Sequence, residues 1–530
     1  MDHNLNEQDQ SVSLIQQYFN GKTIFMTGAS GFVGRFLIYK LLKDVNINKV
    51  ILCLRGKRGK SVEDRFREFK RLELFSFLPS PDLLHKLVPV EGDVTQPDLG
   101  LSPQDLEMIV NEVNIVYHSA ATIRFTEPLK SATLLHVTGT SYVVDVCHKI
   151  KNFEILLHVS SVAAWTINER QVEGVPESDM DPETFSQQMR KASVEDASRM
   201  EQQLIGSHSE GKWLNTYALT KSLAELVVAR SSLSKVVIVR PPFLASPIAE
   251  PQIGWFDEPQ SGAGLTALFS FGVIRVGYLN FDQVAEFIPI DVCINGMIRA
   301  TWFHQEVSNR RVDVYNISSI NSQSITTRQL LTEAIDLGYK YPSIKQIRPP
   351  IQMYHFQLSK RYVQMKSFVS HTLFALLVDL ILLLMGRRAI LYNKTKQCAK
   401  AVEAVFTTAS VYKAELNIET GKLDGIGKSL TALDHRIFPF DVRHMPLRDL
   451  CEQNHLRFRR HVLKESDETL DYARRRLKMV DAGYMVFKIA FWSLLMIFVY
   501  AVHCITFPHL VLWFPFVAAV SYVAGVFLLG

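Results

Sequence analysis

Between residue 22 and about residue 330, apolar positions follow two alternating rhythms. Short unbroken runs ("KTIFMT", "KVILCL", "LVPVEGD", "NIVYHSA", "EILLHVS", "KVVIVRP") are separated by stretches such as "FVGRFLIYKLLKDV" and "SYVVDVCHKI", whose apolar residues share one helical face. Fully apolar strands between amphipathic helices predict an α/β fold, a doubly wound parallel sheet covered by helices. "RPPFLASPIAEPQIGWFDEPQSG" (Arg240–Gly262) is rich in proline and glycine and reads as a long functional loop. From about 355 to 475 the strand rhythm fades and charged helical sequence takes over, predicting a second, mainly helical unit.

The end of the chain has no polar face. "YMVFKIAFWSLLMIFVYAVHCI" (Tyr484–Ile505) is long enough to cross a ~30 Å hydrocarbon core, and "FPHLVLWFPFVAAVSYVAGVFLL" (Phe507–Leu529) follows one residue later. "RRRLK" (Arg474–Lys478) just before them should stay cytosolic. These segments predict a C-terminal membrane anchor, a two-helix hairpin, with the catalytic body facing the cytosol. "SFVSHTLFALLVDLILLLMG" (Ser367–Gly386) is also apolar, but His371 and Asp379 favour a helix packed in the second unit or lying on the membrane over one that spans it. The expected divisions are a polar leader at 1–20, a nucleotide-binding domain with a substrate-binding extension at 21–350, a helical domain at 355–478 and the anchor at 484–529.

Composition changes this picture little. At 530 residues, two or three units are expected, and the apolar content of 47% is high for a soluble protein, its excess concentrated in the tail. With 58 basic and 53 acidic residues, a net charge of +5 does not suggest a nucleic-acid binder. Six scattered cysteines without CxxC indicate a reducing compartment and no metal site.

Chemistry enters with "IFMTGASGFVG", where Gly28, Gly31 and Gly34 follow the first strand and open a helix. Thr27, Gly28, Ser30, Gly31, Phe32, Val33 and Gly34 are the expected cradle for a dinucleotide pyrophosphate, set on the helix N-terminus of a Rossmann-type fold. The second strand ends in "CLRGKRGK", with Arg55 where an NAD-preferring site carries an acid, and Lys57 and Arg58 behind it. A guanidinium pairs with a ribose 2′-phosphate, so NADPH is the expected cofactor. "GDV" offers Asp93 and Val94 near the adenine, and "HSAAT" offers Ala120 and Ala121 along the pyrophosphate-to-ribose side.

"NTYALTKSLAEL" (Asn215–Leu226) places Tyr217 one helical turn before Lys221, so that an ammonium can lower the phenol pKa from about 10. Six further Tyr–Lys pairs share the spacing, Tyr18–Lys22, Tyr39–Lys43, Tyr341–Lys345, Tyr362–Lys366, Tyr392–Lys396 and Tyr484–Lys488. Spacing alone does not choose among the seven.

Taken together, "TGASGFVG", "HSAATIRFTEPLK" (His118–Lys130), the Arg240–Pro259 loop, "IPIDVCINGMI", "SHTLFALLVDLILLLMGR" and "FPFDVRHMPLRDLCEQNHLRFRRHVLKE" resemble the alcohol-forming fatty acyl-CoA reductases, within the extended short-chain dehydrogenase/reductases. The likeness covers about residues 20 to 475. It implies that Tyr217 is the acid, with Lys221 holding the nicotinamide ribose and Ser161, or less directly Ser160, stabilising the oxyanion. The implied reaction is the reduction of a long-chain fatty acyl-CoA to a primary alcohol by two hydride deliveries from NADPH, with release of CoA. A covalent route through Cys147 or Cys293 is disfavoured, because both read as buried structural cysteines.

Two positions depart from the family: His136 replaces its usual asparagine, and "SVAAW" replaces "TAYSN" after the serine. A membrane-tethered steroid or sterol dehydrogenase and a non-catalytic lipid- or partner-binding protein are the alternative readings. Endoplasmic reticulum is the expected membrane, with peroxisome or lipid droplet as alternatives.

Overall fold

The computed structural model describes residues 11–506, except 58, 126, 166–169, 207–211, 258–261, 277–281, 283, 320–324, 351–364, 390, 394–416, 442 and 444. Residues 1–10 of the expected leader, Arg58 and the second anchor segment, Phe507–Leu529, lie outside the described residues.

All six apolar runs form strands: β1 (Thr23–Thr27), β2 (Lys49–Leu54), β3 (Leu87–Glu91), β4 (Ile115–His118), β5 (Ile155–Val159) and β6 (Val236–Arg240). A seventh strand that the apolar pattern did not mark, β7 (Val312–Asn316), completes the sheet. The order is β7-β6-β5-β4-β1-β2-β3, and every neighbouring pair is parallel. β1, β5 and β6 are buried along their whole length, as strands covered on both faces must be. Because the order reverses between β1 and β4, the crevice at their C-terminal ends is the natural ligand site of such a sheet.

The chain forms two compact units that do not follow chain order. The first comprises residues 1–257, 284–324 and 408–446, and the second 258–283, 325–407 and 447–530. This differs from the expected break near 350, because the described residues from Asn417 to 446 pack with the sheet unit. Asn417–Ile418 pairs with Arg170–Gln171. The Asp434 carboxylate accepts from the Ser13 hydroxyl and from the Leu14 and Ile15 amides. Ile15, Tyr18 and Phe19 of the Leu14–Phe19 helix are buried, so the later part of the polar leader belongs to the core. Lys422 reaches Asp313 of β7 at 3.1 Å.

In the second unit, Leu470–Thr506 is one continuous helix of 37 residues. It is about 55 Å long at ~1.5 Å per residue and contains the first anchor segment.

Candidate functional site

The tight turn after β1 requires glycine. Gly28 has φ +75°, and a Cβ there would lie 2.5 Å from the Ala120 nitrogen; one on Gly34 would lie 2.4 Å from the Gly28 oxygen. Gly31 then caps the Phe32–Asp44 helix. The turn is thus bare backbone aimed along a helix N-terminus, which suits a pyrophosphate. The cofactor-side residues are gathered here, with two qualifications. Thr27 is fully buried, its hydroxyl bonded to His118 Nδ1 at 2.7 Å and its carbonyl accepting from the Ser119 amide and hydroxyl, so it supports the turn from within. Val94 is buried under Gly139, while Ser30, Gly31 and Ala121 are exposed and Phe32 and Val33 half-buried.

At the end of β2, Arg55 is half exposed, with Nη1 3.5 Å from Asp93. The Asp93 carboxylate also accepts from the Thr95 amide and hydroxyl, each at 2.9 Å. Those bonds and Arg55 outweigh the opposing effect of burial and lower its pKa. Lys57 is exposed beside them. Sequence reasoning missed Arg65, which donates to the Arg55 carbonyl and, at 3.4 Å, to the Ser30 hydroxyl. It lies on the Val62–Lys70 helix, and only the turn of that helix shows which arginine faces the glycine loop.

The Thr216–Arg230 helix starts where Asn215 caps the Ala218 amide at 2.8 Å, and this aims Tyr217 at the end of β5. The Tyr217 ring is held edge-on by Phe125 at 5.4 Å and by His136 at 5.7 Å. Its phenol lies in the neighbourhood of Ser161, whose hydroxyl accepts the Ala163 amide at 3.1 Å. Burial raises the phenol to about 12, partly offset by Ser161, so it is a protonated donor at neutral pH. This corrects the expectation that the lysine lowers it. The Lys221 ammonium instead donates to the Val159 carbonyl at 2.7 Å, and burial brings it down to about 8 against the opposing pull of Glu225.

The two serines part company. Ser160 is turned inward, donating to the Glu225 carboxylate in a dry network with Arg240 and Trp165. Ser161, one residue further, points to the phenol. Ser160 follows directly on β5, its amide donating to the Val239 carbonyl at 2.8 Å, whereas Ser161 opens the turn after it, its carbonyl accepting the Ala164 amide at 2.9 Å.

His136 sits in a π-helical turn, Leu134–Thr138. Its Nε2 accepts the Thr122 amide at 3.1 Å, and its Nδ1 faces the Thr220 hydroxyl at 2.8 Å. Because Nε2 must remain unprotonated to accept that amide, the ring is neutral. Burial and the Lys221 charge push its pKa well below the ordinary value. It forms a strut between the "HSAAT" segment and the tyrosine helix. Cys147 and Cys293 are buried, and burial raises both thiols, leaving them poor nucleophiles. Among the described residues, no group of acids, histidines and cysteines could hold a metal ion.

Residues 26–297 match the family described as "Male sterility protein", an NAD-binding family. The chain is 30% identical, over 91% of its length and 93% of the relative's, to a Drosophila melanogaster protein provisionally named a fatty acyl-CoA reductase. It is 29% identical to fatty acyl-CoA reductase 1 of Rattus norvegicus over 87% of this chain and 89% of that one. Among solved structures, it resembles in fold the terminal R domain of the myxalamid PKS-NRPS pathway, with a TM-score of 0.53 and 16% identity over 84% of this chain and 92% of that one. The R domain of a Mycobacterium tuberculosis non-ribosomal peptide synthetase gives 0.52 and 14% over 83% and 92%. With its glycine cradle shaped for a nicotinamide dinucleotide, the chain belongs to the fatty acyl-CoA reductase family and is an oxidoreductase.

Proposed function

We propose that this protein reduces long-chain fatty acyl-CoA to the primary alcohol, releasing CoA, in two successive reductions that use NADPH. The observation that carries this reading is the convergence at the end of β5 of the Tyr217 phenol, with Ser161 beside it, and the Lys221 ammonium one helical turn on, bonded to the Val159 carbonyl, in the same unit as the Gly28–Gly34 cradle. NADPH supplies a hydride in each step. Tyr217 and Ser161 donate to the thioester carbonyl oxygen as negative charge grows on it. When the C–S bond breaks, CoA leaves with the electron pair as thiolate and the substrate becomes an aldehyde. In the second reduction the same two groups hold the aldehyde oxygen, and Tyr217 passes its proton to the alkoxide. Lys221 holds the nicotinamide ribose, and His136 keeps the tyrosine helix registered against the "HSAAT" segment. Family membership favours an acyl thioester over a steroid substrate.

The test uses membranes containing the full-length chain, NADPH and acyl-CoAs of several lengths, with products quantified by mass spectrometry. NADPH-dependent alcohol is expected; neither alcohol nor aldehyde from any chain length would sink the reading. The same assay has a predicted pH dependence. The phenol, at about 12, stays protonated throughout, whereas Lys221, at about 8, loses its charge as the pH rises. Turnover should therefore be full well below pH 8, be about halved near it and fall further above it, and a profile still rising at pH 9 would remove Lys221 from this role.

NADPH is preferred over NADH because Arg55, Lys57 and Arg65 gather at the end of β2. A charge-assisted hydrogen bond contributes about 1.5–3 kcal/mol, so an Arg55→Ala/Arg65→Ala variant should raise the KM for NADPH about tenfold or more. Its KM for NADH should barely move. An unchanged ratio of the two would refute 2′-phosphate recognition by these arginines.

Anchoring through Tyr484–Leu529, with the sheet unit facing the cytosol, fits a substrate and product that partition into lipid. Endoplasmic reticulum is the proposed location, on the ground of lipid chemistry.

A further inference from the structure

The apolar stretch Met365–Leu384 forms a helical segment of 20 residues, long and apolar enough to cross a membrane. Its buried positions form one stripe, His371, Ala375 and Asp379, spaced four residues apart. Both polar members of that stripe are satisfied by the protein. His371 Nε2 accepts the Arg275 amide at 2.9 Å, and the Asp379 carboxylate accepts the Leu391 and Tyr392 amides at 2.9 and 2.8 Å. Gly386, at φ +71°, turns the chain so that it folds back onto the helix it has just left. A spanning helix would carry Arg387 and Arg388 to the far side of the bilayer. Here the seventh and fifteenth residues of the segment are both bonded to the same compact unit.

The opposite face has no such partners. Leu376, Leu380, Ile381 and Leu384 are 44–81% exposed. The face continues onto the Leu470–Thr506 helix, because Phe374 packs edge-on against Tyr484 and Phe487 at 6.4 and 5.8 Å. There Met485, Val486, Ile489, Leu494 and Ile497 are exposed as well. Exposed cations border both stretches: Arg387 and Arg388 follow the first, and Arg475 and Lys478 precede the second. No salt bridge joins these four to a carboxylate among the described residues. A contiguous apolar face bordered by cations matches the acyl and headgroup layers of an anionic leaflet.

We propose that the Met365–Leu384 helix lies in the plane of an anionic phospholipid leaflet, as a second membrane contact separate from the C-terminal anchor. It holds the second unit against the bilayer from which acyl substrates come, and its test is independent of the reductase reading.

The full-length chain is reconstituted into phosphatidylcholine vesicles, with and without phosphatidylserine. The vesicles carry a phospholipid whose photoreactive diazirine sits either near the headgroup end of the acyl chain or at the bilayer midplane. Labelled peptides are mapped by mass spectrometry. The shallow probe should label Leu376, Leu380 and Leu384 but not Ala375 or Asp379, more strongly with phosphatidylserine present. A Leu380→Glu/Leu384→Glu variant should lose this labelling while still binding NADPH and keeping label on the Leu470–Thr506 helix. Three results would overturn the proposal: an unlabelled Met365–Leu384 helix beside a labelled Leu470–Thr506 helix, labelling of the whole helix from the midplane probe, or cross-links between two copies of the helix.

Discussion

A Tyr217→Phe variant is expected to bind NADPH normally and to lose turnover by ~10²–10⁴-fold, the usual contribution of a positioned general acid. The substitution leaves the ring where it is, because Phe125 and His136 contact its faces and edges and not its oxygen. What disappears is the phenolic O–H beside Ser161. The effect should fall on kcat, since the phenol donates to charge that develops only during reduction. Single-turnover measurement of NADPH oxidation, beside fluorescence titration of NADPH binding, separates the two quantities. Residual turnover above about a tenth of wild type would show that another group supplies the proton. Ser161→Ala should give a smaller loss, because the phenol remains.

The second large effect concerns the dry network behind the site. Glu225 and Arg240 are both fully buried and joined at 2.6 and 2.8 Å. The carboxylate also accepts from Ser160 and, at 2.7 Å, from the Trp165 ring N–H. The guanidinium donates to the Val172 and Gly174 carbonyls, each at 2.9 Å. Glu225→Ala would leave a buried guanidinium without its counter-charge, which costs about 3–5 kcal/mol. Urea denaturation of the detergent-solubilised chain should show a markedly lower midpoint. Replacing both partners, Glu225→Leu with Arg240→Met, should restore part of the loss. A Glu225→Ala midpoint within experimental scatter of wild type would mean that the network contributes nothing net to stability.

These two predictions also divide the site by how it could be found. Tyr217 and Lys221 belong to a local pattern on one helix, and the family motifs around them separate that pair from six others with the same spacing. The Glu225–Arg240 pair has no sequence signature beyond two charges in apolar surroundings, and only the fold brings the end of β6 against that helix. Ser160 and Ser161 show the same limit at the scale of one residue. Both follow β5 as equals in the sequence, and the turn that begins between them decides that one faces the phenol and the other the interior. The lysine carries the clearest lesson in electrostatics. Helical spacing suggested that its charge acts on the phenol, but its ammonium is bonded to the Val159 carbonyl and burial governs both groups.

What the sequence determined by itself is everything set by local periodicity and backbone demand. That covers six of the seven strands of the main sheet, the glycine turn at β1 and the helix bearing Tyr217, because unbroken apolar runs and a turn requiring positive φ leave few alternatives. β7 escaped because it is an edge strand carrying Asp313, tied to His304 and Lys422, and its pattern is therefore less apolar. Tertiary structure alone decided the return of residues 417–446 to the sheet unit, where Asp434 meets Ser13 across more than four hundred residues of chain. It also decided which face of Met365–Leu384 is buried and where Arg65 points. Those outcomes depend on contacts between segments distant in sequence, and no local pattern of polar and apolar residues encodes which distant surface will cover it.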